Sequence, residues 1–460
     1  MAHPRIVIVG AGPAGVRAAE ALVEADIRPV VVDEGRRDGG QIYRRQPENF
    51  RRSYAALYGS EAARAQRLHR TFDDLRSSLD YRAQTLVWGI SETQLHVTSD
   101  THTETLDFDA LIIASGATDR LMPVKGWNLA GTYSLGGAQI ALKAQACAIG
   151  RRVVFMGTGP LLYLVAAQYL KAGAGVAAVL DTSPFQSRVK ALPMLLARPG
   201  VLAKGLALTW ALKRAGVEMH TGIVPLAIDG SAENGVEGVR FRTRDGATHS
   251  IPCDAVALGY HLRPDAQLAD LARCQFRFDH ETRQFFPVKD EDGRSSVAGV
   301  YLAGDGSLPL GADGAELAGR LAALAALTDL EQPVPKGEMA KLRRSLRPME
   351  RFRRGLAAAF PWPAHLAAAL PDDAVVCRCE SITAGALRDT VFEKGGVEVN
   401  RAKAFSRVGM GRCQGRYCGH AAAEVIAAAA GIPVQEVGRL RGQAPVKPLP
   451  IAMRAGGEAV

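Results

Sequence analysis

Long uninterrupted apolar runs are missing from this sequence. Its most apolar stretch, ALPMLLARPGVLAKGLALTWALKRAG (191–216), is broken by Arg198, Pro199, Gly200 and Lys204. A bilayer span needs about 20 mostly uncharged residues, so no transmembrane segment is expected. The opening MAHPRIVIVG lacks the apolar core of a secretory leader, which runs to roughly 7–15 residues ahead of a cleavage site. The expected location is the cytoplasm, with peripheral attachment to the inner membrane as the one membrane role left open. Low-complexity tracts and repeats of roughly 20–50 residues are also absent. So is any Ser/His/Asp or Cys/His arrangement for nucleophilic catalysis: His220, His261 and His365 stand singly.

Cysteine is scarce, at seven in 460 residues. In a reducing cytosol so few thiols exclude a disulfide scaffold. Cys147, Cys253 and Cys274 lie singly in apolar surroundings and are expected as buried small hydrophobes. The other four cluster near the C-terminal end, at Cys377, Cys379, Cys413 and Cys418. The net charge of +9 invites a nucleic-acid reading, but the arginines are spread along the whole chain. The one dense run, KGEMAKLRRSLRPMERFRRG (336–355), carries few aromatics. It reads as a solvated or partner-docking segment and not as a nucleic-acid surface.

Apolar and charged contents of 47% and 22% are those of a globular protein, and the length suits about three domains. RIVIVG (5–10) is a buried-strand run ending in glycine, PAGVRAAEALVEA (13–25) has helical apolar spacing, and RPVVVDE (28–34) reads as a second parallel strand. Between strand and helix, GAGPAG (Gly10, Ala11, Gly12, Pro13, Ala14, Gly15) has G-x-G-x-x-G spacing. The first glycine permits the turn, the second lets backbone approach a pyrophosphate, and the third lets helix pack on strand. An acid closing the next strand would bind ribose, and Asp33, with Glu34 beside it, sits at that distance. An arginine-rich segment (about 36–82) is expected to be partly helical and wrapped over the surface. A second βαβ unit starts at RRVVFMGTGP (151–160), with Gly157 and Gly159, but Leu162 stands where a third small residue is needed. That side chain is expected to narrow a phosphate site. VAGVYLAGDGS (297–307) is a further buried strand, whose Gly304 and Asp305 precede a helix. Asp305 can hydrogen-bond the ribityl or phosphate chain of a flavin.

The four clustered cysteines form two close pairs, C-x-C and C-x4-C. Four thiolates ligate a [2Fe–2S] cluster, two per iron, or a structural zinc, whose pairs usually leave two to four residues between cysteines. One-residue spacing is uncomfortable for zinc. The glycines and arginines of GMGRCQGRYCGH suit a loop folded round an anionic cluster.

VGAGPAG, GGQ (39–41), LIIASGA (111–117) and VYLAGDG resemble, in order, the glutathione- and thioredoxin-reductase-like flavoproteins. The resemblance implies an α/β fold with two Rossmann-like dinucleotide-binding domains. FAD would lie in the first, against Gly40, Gln41, Ser115 and Gly116 as well as the residues above, and NAD(P)H in the second. No C-x-x-C follows the second glycine motif, so the dithiol chemistry of thioredoxin reductase is not expected. The tail resembles a small α-rich BFD-like [2Fe–2S] domain, with the longer CQGRYC gap of a narrower family. That family comprises the α subunits of multicomponent amino-acid and opine dehydrogenases: opine oxidase, hydroxyproline and dye-linked proline dehydrogenases, and hydrogen cyanide synthase. DEGRRDGGQIYRR, GGAQIALKAQ and GTGPLLYL extend the likeness over nearly the whole chain.

What this resemblance implies is a chain that relays electrons. A separate D-amino-acid-oxidase-like FAD β subunit would oxidise a CH–NH or CH–NH2 donor, and this chain would pass the electrons through FAD and a [2Fe–2S] cluster to an external acceptor. The resemblance further implies an FMN at the subunit interface and a small ferredoxin-like subunit, and the first module of some relatives would hold NAD or ATP instead. The expected units are 1–118 with 290–330 for FAD, 119–289 for a degenerate NAD(P)-type module, a basic linker region 331–371, the cluster domain 372–440, and a tail 441–460. Two rivals remain: a self-sufficient NAD(P)H-dependent reductase, and a non-catalytic iron–sulfur or zinc assembly protein.

Overall fold

The computed structural model describes residues 4–50, 52–100, 102–449 and 454–455. The strand Ile6–Val9 is buried on both faces, as a continuous β-branched run should be in a parallel sheet covered by helices. It sits at the centre of a five-stranded sheet in the order Val300–Leu302, Ala110–Ile113, Ile6–Val9, Val30–Val32, Asp80–Arg82, with all neighbours parallel. The edge strand Val300–Leu302 is donated from far downstream. The chain therefore leaves this sheet, builds a second module, and returns.

The helix Pro13–Glu24 opens with proline just after Gly12, a position where the missing N–H is not needed. Its inner face lies on the helix Ala312–Asp329, and the contact is too close for side chains. A Cβ on Gly319 would collide with the Ala14 carbonyl, and one on Gly15 with the Gly10 carbonyl. The arginine-rich segment is less superficial than its composition suggests. It forms helices Tyr54–Tyr58 and Ala62–Leu75, and Ala65, Leu68 and Phe72 are wholly buried in the core of the first module.

The second module repeats the plan. Its parallel sheet runs Glu218–Thr221, Val176–Asp181, Val153–Thr158, Ala255–Tyr260, Thr132–Ser134, with helix Pro160–Lys171 following the glycines. A 22-residue helix, Glu338–Ala359, then carries the chain across both modules. It buries Leu342, Leu346 and Phe352, while Arg343 grips Asp292 through two nitrogens and Arg353 pairs with Asp279. The last unit is mostly helical, with Ala384–Lys394, Val399–Ser406 and Gly419–Ala430 round a core containing Val391, Val399 and Ile426. Beyond it, 441–449 is neither helix nor strand and Arg454–Ala455 pairs with His102–Thr103; the rest of the expected tail lies outside the described residues. Among the described residues no helix is long and apolar enough to cross a membrane.

The close approach at Gly319 gives a direct test. Gly319→Ala must push the helix Ala312–Asp329 away from the GAGPAG turn. We expect a loss of about 2 kcal/mol, as for an overpacked core. Thermal denaturation should show it as a fall of roughly 4–8 °C in Tm, with flavin released earlier than from the parent.

Candidate functional site: a dinucleotide cradle joined to a four-thiol loop

Four segments meet at the end of the first sheet. Gly10 has φ +104° and faces the Ala114 carbonyl so closely that a Cβ could not fit. A Cβ on Gly40 (φ +61°) would stand 3.0 Å from the Gly12 Cα. A Cβ on Gly304 would stand 2.8 Å from that of Ala14, and one on Gly306 2.7 Å from the Ser115 hydroxyl oxygen. The segments 10–15, 39–41, 115–116 and 304–306 thus form one cradle, with bare backbone at the helix N-terminus where phosphate is best held. Pro13 and Ala14 are buried in it, Gly116 adopts φ +73°, and Gln41 is exposed at its rim, where its carbonyl accepts from Arg44.

The two acids on the second strand differ. Asp33 accepts the N–H groups of Ala11 and Gly35, and burial raises its carboxyl above the ordinary range despite those bonds. Glu34 is exposed and pairs with Lys447. Asp305 takes the N–H groups of Leu310 and Gly311 on Oδ1 at 2.8 and 3.1 Å. Its Oδ2 has no protein partner among the described residues, and burial raises its carboxyl. A half-buried carboxylate with one oxygen open beside bare glycine backbone fits a ligand rich in hydroxyl and phosphate groups.

Sequence reasoning missed Lys143. It lies on the helix Leu135–Ala144 at 4% exposure, its Nζ donates to the Ile42 carbonyl at 3.2 Å, and the Tyr58 ring stands 5.8 Å away. It ties the second module to the GGQIY loop. The only sequence signal was a lone lysine within the apolar GGAQIALKAQ.

In the second module Gly157 approaches Gly259 too closely for any Cβ, and Gly159 adopts φ +106°. Leu162 is fully buried in the core with Phe155 and Tyr169. The acid closing the next strand, Asp181, is fully buried and spent on protein groups. It accepts from Thr158 Oγ1 (2.7 Å), Tyr163 OH (2.8 Å), Ser183 N and Oγ (2.7 Å each) and Arg188 (2.6 Å). The Arg188 guanidinium also lies 5.0 Å from the Phe360 ring, and the Phe360 carbonyl binds His261. The end of the long basic helix therefore closes over the place where a second nucleotide's ribose would go.

The four clustered cysteines converge from two elements. Cys377 ends the short strand Val375–Cys377, and Cys418 caps the helix Gly419–Ala430. Their sulfurs are linked in a chain, Cys377 to Cys418, Cys418 to Cys413, and Cys413 to Cys379. Hydrogen bonding to Cys418 lowers Cys377 to about 6 and also lowers Cys413, whereas Cys418 itself and, through burial, Cys379 are raised. Backbone N–H groups of Gly409, Glu380 and Cys379 reach Cys377, and those of Tyr417 and Gly415 reach Cys413. A Cβ on Gly411 would collide with that of Cys379. Among the described residues no three ligand-type side chains surround a single ion position. Four thiols in two close pairs, met by backbone donors, fit a two-iron cluster with two ligands per iron. Of the other cysteines, Cys253 and Cys274 are buried as expected, whereas Cys147 is exposed: it follows the end of the helix Leu135–Ala144, where the chain turns outward.

The two sites are bolted together. Ser115 Oγ donates to the Asp265 carbonyl at 2.7 Å, and Asp265 N donates to the Gly116 carbonyl. The same short segment grips the thiol loop: Arg416 Nε meets Asp265 Oδ2 at 3.2 Å, Arg263 donates to the Arg416 carbonyl and Gln267 to the Gln414 carbonyl, both at 2.7 Å. Arg416 also donates to Val446 O, which seats the tail, and the next residue, Lys447, pairs with Glu34. Behind the loop, Glu424 is buried and accepts two nitrogens of Arg283 and the Trp362 indole. The wholly buried Arg120 stacks 3.6 Å over that indole.

A doubled parallel sheet with a glycine cradle, coupled to a four-thiol loop, defines a flavin- and iron–sulfur-dependent oxidoreductase. Residues 4–323 match the pyridine nucleotide-disulphide oxidoreductase family, and 375–428 match the BFD-like [2Fe-2S] binding domain. The cofactors are FAD and a [2Fe–2S] cluster. Within that class the chain belongs to the family of the opine oxidase A subunits and the HcnB subunits of hydrogen cyanide synthase. It is 39% identical to the opine oxidase A subunit of Rhizobium meliloti, over 97% of this chain and 86% of that one. It is 31% identical to the HcnB subunit of Pseudomonas aeruginosa, over 97% of this chain and 97% of that one. The fold is shared with L-proline dehydrogenase from P. horikoshii, at TM-score 0.68, 18% identity, 98% of this chain and 79% of that chain.

Lys143 generates a pH test. Burial pushes its ammonium down to about 8, against about 10.4 in the unfolded chain. The unfolded state binds more protons between those values, so stability rises with pH across that window, and the cost is fully present below about pH 8. That cost is on the order of 3 kcal/mol. Lys143→Met should therefore raise Tm at pH 7, and the gain should shrink as the pH climbs from about 8 toward about 10.

Proposed function

We propose that this chain is the electron-transfer subunit of a multicomponent dehydrogenase acting on the C–N bond of an amino acid, imino acid or opine. The observation that carries the reading is the segment Arg263–Gln267, which grips the thiol loop with both ends and bonds the flavin cradle through Asp265 in its middle. Bound FAD accepts two electrons and releases them singly, and a [2Fe–2S] cluster carries one at a time. Gly10, Gly12, Pro13, Ala14, Gly15, Gly40, Gln41, Ser115, Gly116 and Gly304 hold the dinucleotide. Asp33 orients its ribose end and Asp305 its ribityl chain. Cys377, Cys379, Cys413 and Cys418 ligate the cluster, and Arg416 and Arg263 screen its charge. The working units are 1–118 with 290–330, 119–289, 331–371, 372–440 and the tail 441–460.

Substrate oxidation is assigned to a partner, a D-amino-acid-oxidase-like flavoprotein that converts the donor's C–N bond to an imine and yields two electrons. Two relatives are themselves named as subunits, which supports a hetero-oligomer. The assembly sits in the cytoplasm and, where it meets the inner membrane, lies on its surface. The second module serves structure. Asp181 has no lone pair left for a ribose, and Gly157 and Gly159 only bring the strands together, which disfavours the self-sufficient NAD(P)H reductase.

The purified chain should show flavin absorption and about two irons per chain. Cys377→Ser should lose iron and keep flavin, and neither NADH nor NADPH should bleach the flavin on mixing without oxygen. Rapid bleaching by either nucleotide would replace the subunit reading with the reductase reading. A chain that contains zinc and no flavin would overturn both.

A further inference from the structure

The helices Phe185–Leu195 and Pro199–Arg214 turn their apolar side chains the wrong way. On the first, Phe185, Val189, Leu192 and Leu196 recur at intervals of four, three and four and form a single stripe. All four are exposed. On the second, Leu206 and Trp210 are 63% and 60% exposed, and Leu212 is its only buried residue. Six of the twelve large hydrophobic residues exposed among the described residues fall between Phe185 and Trp210.

The charges of the same surface are of one sign. From Pro184 to Val217 there is no Asp or Glu, while Arg188, Lys190, Arg198, Lys204, Lys213 and Arg214 supply six cations. Three of them are paired, Arg188 with Asp181, Arg198 with Asp313 and Lys204 with Glu61. Lys190, Lys213 and Arg214 are exposed and have no acidic partner among the described residues, and the Arg214 guanidinium lies 5.1 Å from the Trp210 ring. The basic helix Glu338–Ala359 lies alongside: Arg351 donates to the Pro193 carbonyl, and Gly355 abuts Met194. Its Arg344, Arg347 and Arg354 are exposed, without ion-pair partners among the described residues.

We propose that this two-helix face, flanked by the basic helix, docks the protein on an anionic lipid bilayer. The helices lie in the interface plane, with Phe185, Val189, Leu192, Leu196, Leu206 and Trp210 entering the headgroup boundary. Lys190, Lys213, Arg214 and the arginines of the third helix neutralise lipid phosphates. Charge complementarity selects this occupant over a protein. Protein interfaces are depleted in lysine at their cores, whereas here Lys190 and Lys213 are interleaved with the apolar side chains, and from Pro184 to Val217 no acid is present to set a register. The inference deepens the peripheral placement proposed for the assembly and rests on it.

The test uses the full chain with its cofactors and sedimentation with vesicles. Vesicles of phosphatidylcholine mixed with phosphatidylglycerol should bind at least about tenfold more protein than phosphatidylcholine alone, and salt should release it. Leu206→Gln with Trp210→Gln, and separately Lys213→Glu with Arg214→Glu, should each lower binding by about tenfold or more. Flavin and iron contents should stay unchanged in both, which shows that they fold. If the parent and both variants bind equally, another surface does the docking: the inference fails and the peripheral placement stands. If the parent binds neither vesicle, both fail. If the variants instead lose a co-purifying flavoprotein and keep vesicle binding, the face is a subunit interface and the inference is overturned.

Discussion

One guanidinium organises the junction on which both cofactor sites depend. Arg416 stands between Cys413 and Cys418, is buried, and spends its donors on the Asp265 carboxylate, the Cys413 carbonyl and the Val446 carbonyl. A buried charge is tolerated only when paired and fully hydrogen-bonded, so this residue cannot be satisfied unless loop, segment Arg263–Gln267 and tail are all in place. Each of those parts then positions something else. Asp265 holds Ser115 and Gly116 in the cradle, the loop holds two thiols, and the tail brings Lys447 to Glu34. The cradle and the thiol loop are therefore one construction and not two domains on a flexible string.

What could be read in advance was local. Glycines at Gly10, Gly12 and Gly15 declare themselves by spacing, because the turn they serve is built within a few residues, and the cysteines do so as two close pairs, Cys377 with Cys379 and Cys413 with Cys418. The parallel sheets were legible for the same reason, since Ile6–Val9 and Val153–Thr158 are unbroken apolar runs ending in glycine. What stayed hidden depends on partners far along the chain. Leu162 drew attention to the second module, but its closure comes from Asp181 meeting Thr158, Tyr163 and Arg188, with Phe360 arriving from a helix in another unit. Nothing in VAAVLD says that its aspartate is already occupied. Lys143 and Cys147 show the same limit in opposite directions, a lysine drawn inside and a cysteine turned outside.

The chain's positive charge also means something different once its partners are visible. Arg343, Arg353, Arg283 and Arg416 are structural cations, each set on a carboxylate from another element. Such pairs fasten one unit to the next, with geometry that a bidentate guanidinium supplies better than an ammonium. Unpaired exposed cations occur all over the surface, Arg67, Arg152, Arg242 and Arg277 among them, and those beside the apolar helices are set apart because no acid lies between Pro184 and Val217.

The tail has a consequence for how the protein is made. Val446 is buried in the same core as Val7, Val9 and Val32, and Lys447 reaches back 413 positions to Glu34. Synthesis runs from the N-terminus, so the cradle is completed only when Gly304 and Gly306 arrive, and it stays uncovered on that side until Val446 and Lys447 follow. Seating the tail requires Arg416 to be held, and that requires the cysteine loop to be formed. The cradle is therefore covered on that side only after the cysteine loop has taken shape and the segment behind it has been seated.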